Sequence, residues 1–136
     1  VKAAVEYLAS WGRGPDLRGR LVQAMEDISA YEHRVARMYY EEAATIPGAT
    51  VWGPGFESGR RAPTVSITID GVHPQEAARR LADQAIAVWD GHFYAARPVE
   101  VLGLAEQGGV IRVGISMYNT REEIERLLAA VENLAG

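Results

Sequence analysis

Arg112 stands in the middle of GGVIRVGIS, residues 108–116, an apolar run with the composition of a strand. Alternation places Val110, Arg112 and Gly114 on one face and Ile111, Val113 and Ile115 on the other. The purely apolar side belongs to a core, so the guanidinium projects from the opposite side. A guanidinium is a planar fork of donors that keeps its charge, and it fits a carboxylate bidentately. The same pattern describes a solvated arginine on an open sheet face, and the residues alone do not choose between the two. GHFYAARP, residues 91–98, holds a second group: His92, Phe93 and Tyr94. A histidine here suits acid–base work or metal ligation, or a plain hydrogen bond to loop backbone.

Other candidates are weaker. His33, His73 and His92 are far apart and lack metal-ligand spacing, so no metal site is expected. His33, beside Glu32, is expected to face solvent, and His73, before Pro74, to open a helix. Arg60-Arg61 lies in a glycine-containing loop and is expected to be solvated, with anion contact as the alternative. GRGPDLRGR lacks the Gly-Lys-Ser/Thr ending of a phosphate loop and does not follow a strand. The chain contains no cysteine, which removes disulfides, thiolate ligands and cysteine nucleophiles together.

The elements that must position these residues fit one domain over residues 1–136. Apolar residues are 48% of the chain and charged residues 24%, as in proteins with a packed core. A net charge of -4 argues against nucleic-acid and anionic-membrane partners. No apolar run approaches the roughly 18 residues of a membrane span, and no signal peptide is recognisable, so a cytoplasmic protein is expected.

VKAAVEYLASWG opens already in helical period, with Val1, Val5 and Leu8 on one face and no capping residue ahead of them. This leads us to expect a piece of a longer protein, with residues 1–12 ending a helix that links from a preceding domain. GRGP breaks that helix. From Asp16, a plausible N-cap, a long helix runs to before Pro47-Gly48, its stripe formed by Leu17, Leu21, Met25, Ile28, Tyr31, Val35, Met38 and Tyr39. TVWGP at 50–54 and TVSITID at 64–70 are strands, the second alternating as a half-buried strand does. HPQEAARRLADQ at 73–84 is a helix with Pro74 in first position, IAVWD at 86–90 a short strand, and a short helix is expected near Pro98. Thr120 and Glu123 form a capping box that starts a last helix over about 121–134, where Glu122 and Arg126 are spaced to pair. The order implies an α+β fold: a small mixed or antiparallel sheet of three or four strands, covered by helices on one face.

RVGISMYNTREEIERLL, IAVWDGHFYA and AAVEYLASWG together resemble the carboxyl-terminal segment of class V aminotransferases, pyridoxal-phosphate (PLP) enzymes, in their cysteine desulfurase and selenocysteine lyase branch. The likeness rests on Arg112, Ser116, Tyr118, Asn119, Thr120, Glu122, Glu123, Ile124, Arg126 and Leu127. It implies the small domain of a fold-type I homodimer, packed beside a large PLP-binding domain of the same chain. It also implies that Arg112 holds the α-carboxylate of a small amino-acid substrate, with His92 and Tyr94 as further pocket residues. Where desulfurases place their sulfur-accepting cysteine, this chain has Tyr94, so it is similar to cysteine-less, desulfurase-like members. The cofactor's lysine and phosphate contacts belong to the large domain. The fragment alone is then expected to be inactive and to bind no PLP, and to expose apolar surface on its first two helices. From the residues without the resemblance, a non-catalytic small-anion-binding or dimerisation module remains the alternative, as does a parent that keeps the fold without catalysis.

Overall fold

A computed structural model describes residues 1–58 and 61–136. Arg60 therefore lies outside the described residues. Helix α1 (Lys2–Ser10) turns back onto the long helix α2 (Leu17–Ala43), whose first turn is capped by Asp16 accepting from the Gly19 amide at 2.7 Å. The close approach requires Gly12, because a Cβ there would stand 1.8 Å from the Arg20 carbonyl oxygen.

Strands β1 (Ala49–Trp52), β2 (Thr64–Ile69), β3 (Trp89–Gly91) and β4 (Val110–Gly114) form one antiparallel sheet in the order β1-β2-β4-β3. Helices α2, α3 (Pro74–Ala82) and α5 (Arg121–Ala135) pack on one face of it. The core there joins Val65, Ile67 and Ile69 of β2 and Ile111 and Val113 of β4 to Tyr39, Leu81, Leu127 and Val131 of the helices. This is the α+β sandwich expected from the order of elements. The opposite face is partly covered as well: α4 (Ala96–Val101) and the following turn bury Val99, Leu104 and Val110 against Trp52 and Phe93.

Four expectations need correction. The strand expected at 86–90 begins only at Trp89. Ile86 is instead drawn into the end of α3, its amide donating to the Leu81 carbonyl at 2.9 Å while Ala85 takes a left-handed φ of 57°. The stripe of α2 splits: Ile28, Val35, Met38 and Tyr39 are buried or half-buried, whereas Leu17 and Met25 are exposed. On α1 it is Ala9 that is buried, with Val5 and Leu8 half-covered and Val1 free. In α5 the capping box of Thr120 and Glu123 is present, but the ion pair is Arg121–Glu125 at 2.7 Å, and Arg126 donates to the Ala85 carbonyl at 3.3 Å.

Tyr39 is fully buried, and its hydroxyl has no partner among the described residues. Burial pushes its pKa upward, because a phenolate cannot be solvated there. An unpaired buried hydroxyl has a desolvation cost that its removal relieves. Tyr39→Phe is therefore expected to leave stability unchanged or raise it by about 1 kcal/mol. Urea denaturation of the variant checks this; a loss of stability would show that the hydroxyl has a hydrogen-bond partner.

Candidate functional site

Strand register assembles the site. Across the sheet, Trp52, Ser66, Arg112 and Trp89 are directly opposed in turn, which places them in one row on the face away from the main core. Arg112 is exposed while its chain neighbours Ile111 and Val113 are buried, as the alternation requires. Among the described residues no carboxylate or carbonyl engages its guanidinium. Its one recorded contact is with the ring of Phe93, whose centroid lies 4.2 Å from the guanidinium carbon.

That ring is delivered by a strained turn. After Gly91 ends β3, Phe93 and Tyr94 both take left-handed conformations, with φ of 52° and 62°. The Ala95 amide donates to the His92 carbonyl at 2.7 Å, closing a two-residue turn of the kind that ordinarily calls for Asn or Gly. Each such residue costs on the order of 1–3 kcal/mol, and strain of this kind gathers where function demands it. The base of the turn is held by the contact of β3 with the Gly108-Gly109 corner. A Cβ on Gly109, itself at φ 89°, would lie 2.4 Å from the Gly91 carbonyl oxygen. Phe93 also packs against the small cluster of Val99, Leu104 and Val110.

The three residues singled out from sequence thus meet at one cleft of about 540 Å³, lined by Trp89, Asp90, Gly91, His92, Phe93, Tyr94 and Arg112. His92 Nδ1 accepts from the Tyr94 amide at 3.2 Å, which supports the plain loop role and puts the proton of a neutral ring on Nε2. The Tyr94 side chain is fully solvent-exposed. Phe93 stands out in the sequence, but its contact with Arg112 does not. Nor do Ser66 and Trp89 as neighbours of Arg112, because residue types carry no register.

The remaining candidates fall elsewhere. Arg61 donates to the Pro54 carbonyl and, at 2.7 Å, to the Thr64 carbonyl, and it lies over the Phe56 ring at 4.1 Å. It is a structural bolt rather than a solvated loop residue. His33 is half-buried, edge-on to Phe56 at 4.9 Å, and does not simply face solvent. His73 caps α3, its Nδ1 accepting from the Gln75 amide at 3.3 Å, as a helix-start residue does.

The carboxyls held below their ordinary range are also remote from the cleft. Glu76 is held at about 2 by hydrogen bonds from Arg79 and Arg80, and Glu123 is lowered by the Thr120 amide and by Asn119. Both belong to helix architecture. Among the described residues there is no group of three or more His, Cys, Asp or Glu fit to hold a metal, and no helix long and apolar enough to cross a membrane. A larger groove, about 1070 Å³, follows the outer side of α2 past Leu21, Val22, Met25 and Ala30, but among the described residues its lining includes no left-handed non-glycine turn residue.

Behind Arg112, the loop from Ser116 to Thr120 is tied to α2 and α5. The Tyr31 hydroxyl donates to the Asn119 carbonyl at 2.6 Å, and Asn119 Oδ1 accepts from the Ser116 amide at 2.9 Å. The family description "Aminotransferase class-V" matches residues 20–127, which takes in this loop, the cleft and all four strands. The chain belongs to the class V aminotransferase family. An aminotransferase-like protein of Gibberella zeae is 32% identical, over 97% of this chain and 32% of that protein. A probable cysteine desulfurase of Synechocystis is 28% identical over 96% of the chain and 27% of its own length. Among solved structures, a cysteine desulfurase from Thermococcus onnurineus superposes with a TM-score of 0.73 at 26% identity, covering 90% of this chain and 32% of that one. An Escherichia coli cysteine desulfurase, at 21% identity and a TM-score of 0.68 over 89% of this chain and 31% of that one, shares the fold. The chain therefore spans about a third or less of the length of these relatives.

Proposed function

We propose that these residues form the carboxyl-terminal small domain of a PLP-dependent, cysteine desulfurase-like enzyme, and that Arg112 receives the substrate's α-carboxylate. The observation that carries this is the Arg112 guanidinium, lacking polar partners among the described residues while a strained aromatic turn holds it at the mouth of a cleft. Its donors remain available for a planar anion, and a carboxylate fits them two at a time. Fixing that end of an amino acid orients the bonds around its α-carbon towards whatever group lies opposite.

The residues present do not suffice to hold PLP. Lys2, the one lysine in the chain, lies on exposed α1, 3.6 Å from Glu6 and away from the cleft, so it is no candidate for the lysine that carries the cofactor. In this reading the rest of the parent supplies that lysine and the phosphate site, and PLP there withdraws electrons from the bound amino acid. The exposed apolar positions Val22 and Met25 on α2 would face that large domain. The resemblance puts Tyr94 at the place of a desulfurase's cysteine, and a phenol cannot accept sulfur as a persulfide. The chemistry proposed is therefore amino-acid bond cleavage or transfer without a protein-bound sulfur intermediate.

The test is to purify the full-length gene product and record its visible spectrum, then to follow that spectrum during titration with small L-amino acids. Bound PLP that responds to amino acids is expected. Absence of cofactor absorbance would refute the reading and favour a free-standing anion-binding or dimerisation module.

A further inference from the structure

We propose that Phe93 is the positioning residue for Arg112: its ring, fixed by the His92–Ala95 turn, holds the guanidinium in the orientation that receives a carboxylate. This deepens the proposed function and rests on it. An arginine side chain on an open sheet face ordinarily samples many rotamers, and each must be given up when a ligand binds. Here the guanidinium carbon sits 4.2 Å from the Phe93 centroid. A cation–π contact restrains the cation through the ring face and supplies no acceptor atom, so it does not replace the carboxylate as a hydrogen-bond partner. Asp90 lines the same cleft, but among the described residues it makes no recorded ion pair with the guanidinium, where a carboxylate would compete with the substrate.

The ring is itself held by its turn and by packing. The turn is closed by the Ala95 amide on the His92 carbonyl and by the Tyr94 amide on His92 Nδ1. The ring also packs against the small apolar cluster of Val99, Leu104 and Val110. Left-handed backbone at Phe93 is thus kept because it aims an aromatic face at one cation.

Two variants of the full-length protein test this. Phe93→Leu keeps an apolar side chain for the cluster but removes the π face, and Phe93→Tyr keeps both. With L-alanine as the probe, half-saturation is expected to rise about two- to fivefold in Phe93→Leu, with kcat little changed, and to stay near wild type in Phe93→Tyr. Ethylamine, which lacks the carboxylate, is expected to bind all three proteins alike. Independently of turnover, the Arg112 Nε–H proton resonance is expected to be shifted by the ring current in wild type and Phe93→Tyr and to lose that shift in Phe93→Leu. Equal constants and resonances in all three proteins would overturn the proposal. So would equal impairment of both variants, or weakening that extends to ethylamine, which would make Phe93 a packing residue. If Arg112→Ala itself leaves L-alanine binding intact, the carboxylate role falls first, and that result is distinct from a failure confined to Phe93.

Discussion

Arg112→Ala in the full-length protein is expected to raise KM for amino-acid substrates at least ~10-fold while changing kcat much less. A hydrogen bond to a charged group contributes about 1.5–3 kcal/mol net, and each 1.4 kcal/mol is a factor of ten in affinity. Losing even one bond of the bidentate pair thus predicts a loss of roughly one to two orders of magnitude, and losing both predicts no less. The effect falls on KM because the carboxylate is bound alike before and during bond cleavage, so the interaction is uniform. Arg112→Lys is expected to recover only part of the affinity, since an ammonium presents a point charge and not a fork. Steady-state kinetics on the three proteins checks this, and an unchanged KM in Arg112→Ala would remove the assignment.

The next residue along the strand is expected to behave in the opposite way. Ile111 is fully buried, faces the helices and is directly opposed to Ile67, also fully buried, on β2. Ile111→Ala leaves a cavity enclosed by elements from both layers, and such truncations cost about 2–5 kcal/mol. The high end is expected, because the surrounding sheet and helices restrict collapse around the void. Arg112→Ala, with its side chain outside the core, is expected to change stability by no more than about 0.5 kcal/mol. Urea unfolding should therefore show a markedly lower midpoint for Ile111→Ala at an unchanged slope, and a near-wild-type curve for Arg112→Ala. Equal stabilities for the two variants would contradict the assignment of opposite faces to positions 111 and 112.

That contrast shows what the sequence made legible. Period-two alternation in GGVIRVGIS put Arg112 outside the core, and TVSITID behaved the same way, because one-sided burial leaves a direct trace in residue order. The caps at Asp16, His73 and Thr120 were equally readable, since each satisfies amides within its own turn. The misplaced start of β3 has a different origin: Ile86 is apolar because it closes the end of α3, and a short apolar run looks the same in either use. Strand order was not readable, so Ser66 and Trp89 could not be known as flanking residues of Arg112. Nor was the conformation of the His92 turn, because Phe and Tyr are poor choices for left-handed backbone and no local preference announces it. The split stripe on α2 was foreseeable in kind, given the expectation of a missing neighbour, but not in which residues it exposes.

The most direct measurement is a crystal structure of the full-length protein with an amino acid bound. A carboxylate clamp predicts both oxygens of the α-carboxylate facing Arg112, each accepting an N–H at about 2.7–2.9 Å, with Phe93 still against the guanidinium. An amino acid seated with its carboxylate on another cation, and Arg112 left in solvent, would contradict the account.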